Sequence, residues 1–195
     1  NPRLSKVREG AELARQFGAE LILAVGGGSV IDSSKAIGYS LAEPDMDVWD
    51  LYSRKRTPTG CFPVACVLTI AAAGSEMSNS SVITNEETGE KRGYRNNLCR
   101  VKLAIMNPEL TTTLPAYQTA AGCTDIMMHT IERYFTQGGN MELTDQIAEG
   151  LLRTVMKNAL ILRDDPANYD ARAEVMWASS LSHNDLTGLG ADGMD

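Results

Sequence analysis

LILAVGGGSVIDSSKAI, residues 21–37, passes from a short apolar run to a helix-like pattern through three consecutive glycines. The run ELILAV (20–25) suits a strand buried on both faces of a parallel sheet. Glycine lacks a Cβ, so it lets the backbone approach a ligand closely and adopt φ > 0. The helix that follows presents unpaired N–H groups and a partial positive charge at its start. Together these features make a site for a phosphate or pyrophosphate. Ser29 fits the cap, and Asp32, three residues on, fits a capping box. The spacing Gly26-x-Gly28-x-x-Ile31 is neither GxGxxG nor a Walker A loop. A tight strand–helix turn that holds no ligand is the competing reading.

Outward from this turn the first half of the chain is α/β. Leu4, Val7, Ala11, Ala14 and Phe17 form one helical stripe, with Gly18 at the C-cap. FPVACVLTIA (62–71) predicts a second strand, followed by the small-residue turn AAGSE. Thr69 falls at the C-terminal end of that strand, where open α/β sheets bind ligands. SVITNEETGEKRGY predicts a hairpin turning at Glu87–Gly89, and VKLAIMNPEL (101–110) a strand ended by Asn107-Pro108. Character changes at Leu114-Pro115. Helices are predicted at 115–136, 142–163 and 168–182, broken by Gly138-Gly139 and by Asp164-Asp165-Pro166.

Bulk composition narrows the function classes. The 195 residues are 43% apolar and 22% charged, as in an ordinary globular protein. A net charge of −7 disfavours nucleic acid, whose phosphates need clustered Lys and Arg. No apolar run approaches the ~18 residues that span a bilayer, so no membrane partner is expected. Cys61, Cys66, Cys99 and Cys123 form no CxxC or Cys/His zinc pattern, and are read as small buried thiols in a reducing cytoplasm. The chain opens on Asn1 and closes on the Gly-rich GLGADGMD, so it is expected to be an internal piece of a longer protein.

AGCTDIMMHTIERYF (121–135) places Asp125 and His129 four residues apart on one face of a mostly apolar helix. Carboxylate oxygen and imidazole nitrogen are both good ligands for zinc or iron. An ion pair or hydrogen bond between the two is the alternative, and a catalytic zinc usually has three protein ligands. The second histidine, His183, is a possible third ligand or a polar residue lining a cleft.

Four stretches together resemble the iron-containing (group III) alcohol dehydrogenases, in their butanol dehydrogenase-like, NAD(P)H-dependent aldehyde reductase branch. They are AVGGGSVIDSSKAI, LTIAAAGSEMSNSSVITNEETGEKRGY, AIMNPELTTTLPAYQTAAGCTDIMMHTIERYF and NYDARAEVMWASSLSHNDLTGLG. The resemblance implies an α/β, Rossmann-like dinucleotide-binding domain with a parallel sheet over 1–114, lacking its first strands. It implies the start of an all-helical metal-binding domain over 115–195, lacking its remainder. Metal and nicotinamide are expected to meet in the cleft between the two.

The cofactor is then NAD or NADP, lined by Gly26, Gly27, Gly28, Ser29 and Asp32. Thr69 and Ser78 follow along the pyrophosphate and ribose, Lys91 on the ribose–phosphate side, and Leu110 near the nicotinamide. Asp125 and His129 are implied as two of four ligands to a divalent metal, iron or zinc. His183 matches no ligand position, and no catalytic residue beyond the metal ligands is identified. Two positions depart from relatives: Ala73 stands where many have Thr, and Ser78 where close ones often have Asn.

The implied activity is hydride transfer between NAD(P)(H) and a small primary alcohol or aldehyde, in a cytoplasmic homo-oligomer, a dimer. Competing implications are a dehydroquinate synthase-like or glycerol dehydrogenase-like enzyme on the same fold, or a piece of a filament-forming bifunctional aldehyde/alcohol dehydrogenase. The isolated chain is expected to be inactive.

Overall fold

The structure is a computed structural model that describes residues 2–136 and 138–191. Residues 192–195, the end of the Gly-rich segment, lie outside the described residues. Packing divides the chain into two units: Asn1–Val67 with Asn79–Ile105, and Leu68–Ser78 with Met106–Asp195.

The first unit is α/β. Helix α1 (Leu4–Phe17) buries Leu4, Val7 and Ala11 and ends on Gly18, whose φ of 68° is the left-handed cap that favours glycine. Phe17 departs from the expected stripe and is 87% exposed. The buried patch of the helix ends with Ala11, so the last turn projects past the core.

Strand β1 (Ile22–Gly26) leads through the glycines into α2 (Gly28–Ala42), and a one-turn helix α3 (Trp49–Tyr52) precedes β2 (Val64–Leu68). Strands β3 (Ser80–Asn85) and β4 (Glu90–Arg95) form the predicted hairpin, with Asn85 opposite Glu90 and Gly89 at φ 71° in the turn. The expected strand at 101–110 shortens to β5 (Leu103–Ile105), because Pro108–Thr111 coils into a 3-10 turn capped by the Asn107 side chain.

The three-stranded sheet runs β1-β2-β5, with β2 and β5 parallel and Ala65 opposite Leu103. Burial of β1 on both faces is not found. Ala24 is buried, whereas Leu23 and Val25 are 56% and 59% exposed. Alternate side chains of a strand point to opposite faces, and within this unit only one of them is covered. Leu4, Val7, Ala36, Tyr39, Met46, Val48, Leu51, Tyr52, Ile83 and Cys99 make the core, where α1, α2 and α3 meet the hairpin.

The second unit is helical, as the periodicity predicts. Its helices are α4 (Ala116–Tyr134), α5 (Glu142–Asp164) and α6 (Tyr169–Ser182). Pro115 stands at the N-cap of α4, and the Asn168 side chain accepts the Ala171 N–H to cap α6. Cys123, Ile126, Leu151, Val155, Leu162, Ala171, Val175 and Ala178 interlock as the core. All four cysteines are free thiols, three of them buried. Among the described residues no helix is long and apolar enough to cross a membrane.

The loop 68–78 belongs to this helical unit. Gly74 sits at φ 63°, and a Cβ there would come closer than 3.0 Å to the Ser179 carbonyl oxygen. Ser180 Oγ donates a 2.6 Å hydrogen bond to the buried Glu76 carboxylate. These contacts hold the loop against α6.

Candidate cofactor and metal site

At the glycine turn, Gly26 closes β1, Gly27 is the N-cap of α2 and Gly28 opens the helix. None of the three has positive φ. At Gly26 the missing side chain permits a close approach: a Cβ there would lie 2.6 Å from Val30 Cγ2. The helical ladder begins with Val30 and Ile31, whose N–H groups both donate to the Gly27 carbonyl. The amides of Gly28 and Ser29 precede it and point outward by helix geometry. No acidic residue lies in the first turn to compete with an anion there.

The expected capping box is not formed. Gly27, not Ser29, is the cap residue, and no side chain caps the helix. Ser29 is already inside the first turn. The Asp32 carboxylate instead accepts the Val82 N–H at 2.9 Å, and the buried Lys35 ammonium donates to the Ser80 carbonyl at 2.8 Å. Both side chains thus bind α2 to β3 and hold the helix N-terminus in place. Lys35 is a residue for which the sequence pattern offered no role. Lys91 is exposed on β4, opposite Thr84.

The other candidate cofactor residues fall in the helical unit. Thr69 follows β2 directly, at the C-terminal end of the sheet. Ser78 is buried, with its N–H bonded to the Gly74 carbonyl at 3.1 Å. Leu110 is exposed in the 3-10 turn. Gly26–Ser29, Asp32 and Lys91 therefore sit on the α/β unit, and Thr69, Ser78 and Leu110 share the second unit with Asp125 and His129.

Asp125 and His129 lie one turn apart on α4, with Oδ1 3.7 Å from Nε2. That is too long for a hydrogen bond. A carboxylate oxygen and an imidazole nitrogen on one helical face are a donor set of the kind that suits zinc or iron. The side chains are 44% and 26% exposed, so both donors can be reached. Among the described residues no group of three or more His, Cys, Asp and Glu is placed to hold a metal. The residues fit half of a metal site.

Two further residues frame the pair. The His183 ring packs edge-to-face on His129, with centroids 4.4 Å apart and planes at 77°. Buried Arg133 donates through Nη1 to the His129 carbonyl at 3.0 Å and to the Ser182 carbonyl. Arg133 carries no motif signal; only its place one turn after His129 in an apolar helix marks it.

The profile described as iron-containing alcohol dehydrogenase matches residues 1–108, and that of the family's C-terminal region matches 119–191. The chain belongs to the iron-containing alcohol dehydrogenase family.

Within this family it is 44% identical over 192 residues to NADH-dependent butanol dehydrogenase A of Clostridium acetobutylicum, which takes in 98% of this chain and 49% of that protein. It is 35% identical to the NADPH-dependent aldehyde reductase YqhD of Escherichia coli, over 97% of this chain and 50% of that one. The crystal structure of NADH-dependent butanol dehydrogenase A from Thermotoga maritima superposes with a TM-score of 0.95 at 40% identity, covering 99% of this chain and 48% of that one. The chain spans about half the length of the curated relatives it matches. Its fold is that of the family: a Rossmann-like α/β part with a parallel sheet, followed by helices.

Proposed function

We propose that this chain is part of a metal-dependent alcohol dehydrogenase or aldehyde reductase that moves hydride between NAD(P)(H) and a small primary alcohol or aldehyde. The observation that carries the reading is the Asp125–His129 pair, two metal donors aimed together from one face of α4 in a chain of this family. Relatives named as an NADH-dependent butanol dehydrogenase and an NADPH-dependent aldehyde reductase support the reaction class. A solved sulfoacetaldehyde reductase in complex with NAD+, 30% identical, supports the cofactor class.

In this reading residues 1–114 carry most of the dinucleotide site and 115–195 the metal donors. The Gly28 and Ser29 amide N–H groups donate to pyrophosphate oxygens at the start of α2. Asp32 and Lys35 keep that helix end fixed on β3. Thr69 and Ser78 extend the cofactor contacts from loop 68–78, with Lys91 and Leu110 on the ribose and nicotinamide sides. Held by Asp125 and His129 together with donors from the rest of the protein, a divalent ion, iron or zinc, would supply Lewis-acid chemistry at the substrate oxygen, and the nicotinamide would carry the hydride. Asp125 would contribute a carboxylate oxygen that moderates the ion's acidity, and His129 an imidazole nitrogen. The whole protein is taken to be a cytoplasmic homo-oligomer, a dimer.

The test uses the full-length protein. Asp125→Ala and His129→Ala are each expected to lose metal and butanal-dependent NADH oxidation together. Stoichiometric metal retained in both variants defeats the assignment. The 195-residue chain alone is expected to be inert, because two donors hold a metal poorly. Measurable NAD(P)H oxidation by it overturns that expectation.

A further inference from the structure

We propose that His183 is a positioning residue that sets the orientation of the His129 ring, and so the aim of its metal-binding nitrogen. The inference rests on the reading of Asp125 and His129 as metal donors. A histidine on a helix has a broad ring torsion, and a partly exposed ring such as His129 turns freely unless something packs on it. His183 supplies that contact, edge-to-face at 4.4 Å and 77°. Such offset geometry is the favoured one for ring pairs.

Three features hold His183 in place. It is the C-cap of α6, with its N–H bonded to the Ser180 carbonyl at 3.3 Å. Arg133 joins the His129 carbonyl on α4 to the Ser182 carbonyl, one residue before His183, and so ties together the backbone segments that carry the two rings. Gly74 presses from the loop: a Cβ there would lie 2.8 Å from His183 Cβ. The space beside His183 is thus closed by backbone. A direct ligand role is not what the placement provides, since no trio of donors forms here among the described residues. Groups that orient a metal ligand typically change metal affinity by about 10–100-fold when removed.

The experiment compares His183→Ala and His183→Phe in the full-length protein loaded with Co(II), reading the dissociation constant by chelator competition and the visible absorption bands. The thermal midpoint is followed alongside. Phe keeps the ring and removes both nitrogens. His183→Ala is expected to weaken Co(II) binding about tenfold or more and to alter the bands, and His183→Phe to restore both. Unchanged affinity and bands in His183→Ala overturn the proposal. A His183→Phe variant as weak as His183→Ala at an unchanged midpoint also overturns it, because the nitrogen rather than the ring then matters. If His183→Ala does not fold, His183→Phe against the parent decides by the same readings. Asp125→Ala and His129→Ala run in parallel. Retention of Co(II) by both defeats the metal reading itself, a result distinct from failure at His183 alone.

Discussion

Gly122 on α4 meets the carbonyl oxygen of Ala71 backbone to backbone: a Cβ on Gly122 would come closer than 3.0 Å to it, nearer than Cβ atoms pack. Helix propensity favours Ala over Gly by about 1 kcal/mol, but overpacking against backbone that cannot swing away costs about 1–3 kcal/mol or more. Gly122→Ala is therefore expected to be destabilising, with a lower urea midpoint. Gly74→Ala adds backbone strain at φ 63° to a similar collision with Ser179, and is expected to cost at least as much. A midpoint equal to the parent's for Gly122→Ala rules out the close approach.

Gly150 gives the opposite sign. It lies inside α5, and nothing stands within 4 Å of the Cβ position. Only the propensity term remains there, so Gly150→Ala is expected to stabilise by up to about 1 kcal/mol. The same denaturation measurement checks it, and a loss of stability contradicts the open space.

Glu76 is buried, and its carboxylate accepts from Ser180 Oγ at 2.6 Å and Ser179 Oγ at 3.4 Å. Glu76→Ala strands these donors and is expected to cost about 1–3 kcal/mol, with Glu76→Gln losing less. Because the groups act together, Glu76→Ala combined with Ser180→Ala should cost less than the sum of the two alone. Strict additivity in that double-mutant cycle disproves the coupling.

Alkali is expected to weaken the fold. Burial pushes the Cys61 thiol up from an ordinary 9.0 to about 12, with the nearby Cys99 adding to it. Burial likewise raises the Tyr39 and Tyr52 phenols far above 10.0. Each folded group keeps its proton while the unfolded chain releases it, so the unfolded state binds fewer protons above about pH 9. Stability then falls as pH rises from about 9 toward 12 and is fully present below 9. A urea midpoint at pH 10.5 equal to that at pH 7.5 refutes this. The same shift leaves little Cys61 thiolate at pH 8, so alkylation there should be slow.

Much of the local structure was legible in the residues. The strand–glycine–helix turn, the hairpin with Gly89, the Gly18 cap and three long helices all follow from side-chain period and turn chemistry, which act over a few residues. The Asp125–His129 spacing was enough to place both donors on one helical face. Ser29 and Asp32 match a capping box in spacing alone, and the helix forms none. Whether a side chain turns to its own helix or to a neighbour depends on what packs there, and β3 takes Asp32.

The sequence by itself determined the family and the element types, and it placed Asp125 and His129 on one helical face, since each is written in short-range pattern or in motif order. Only the tertiary structure decided that loop 68–78 packs with the helices and that Lys35 is buried against Ser80. It alone brought His183 onto the ring of His129. Periodicity tells which face of an element is apolar, but not which distant face it meets. That choice is made by the packing of the whole core.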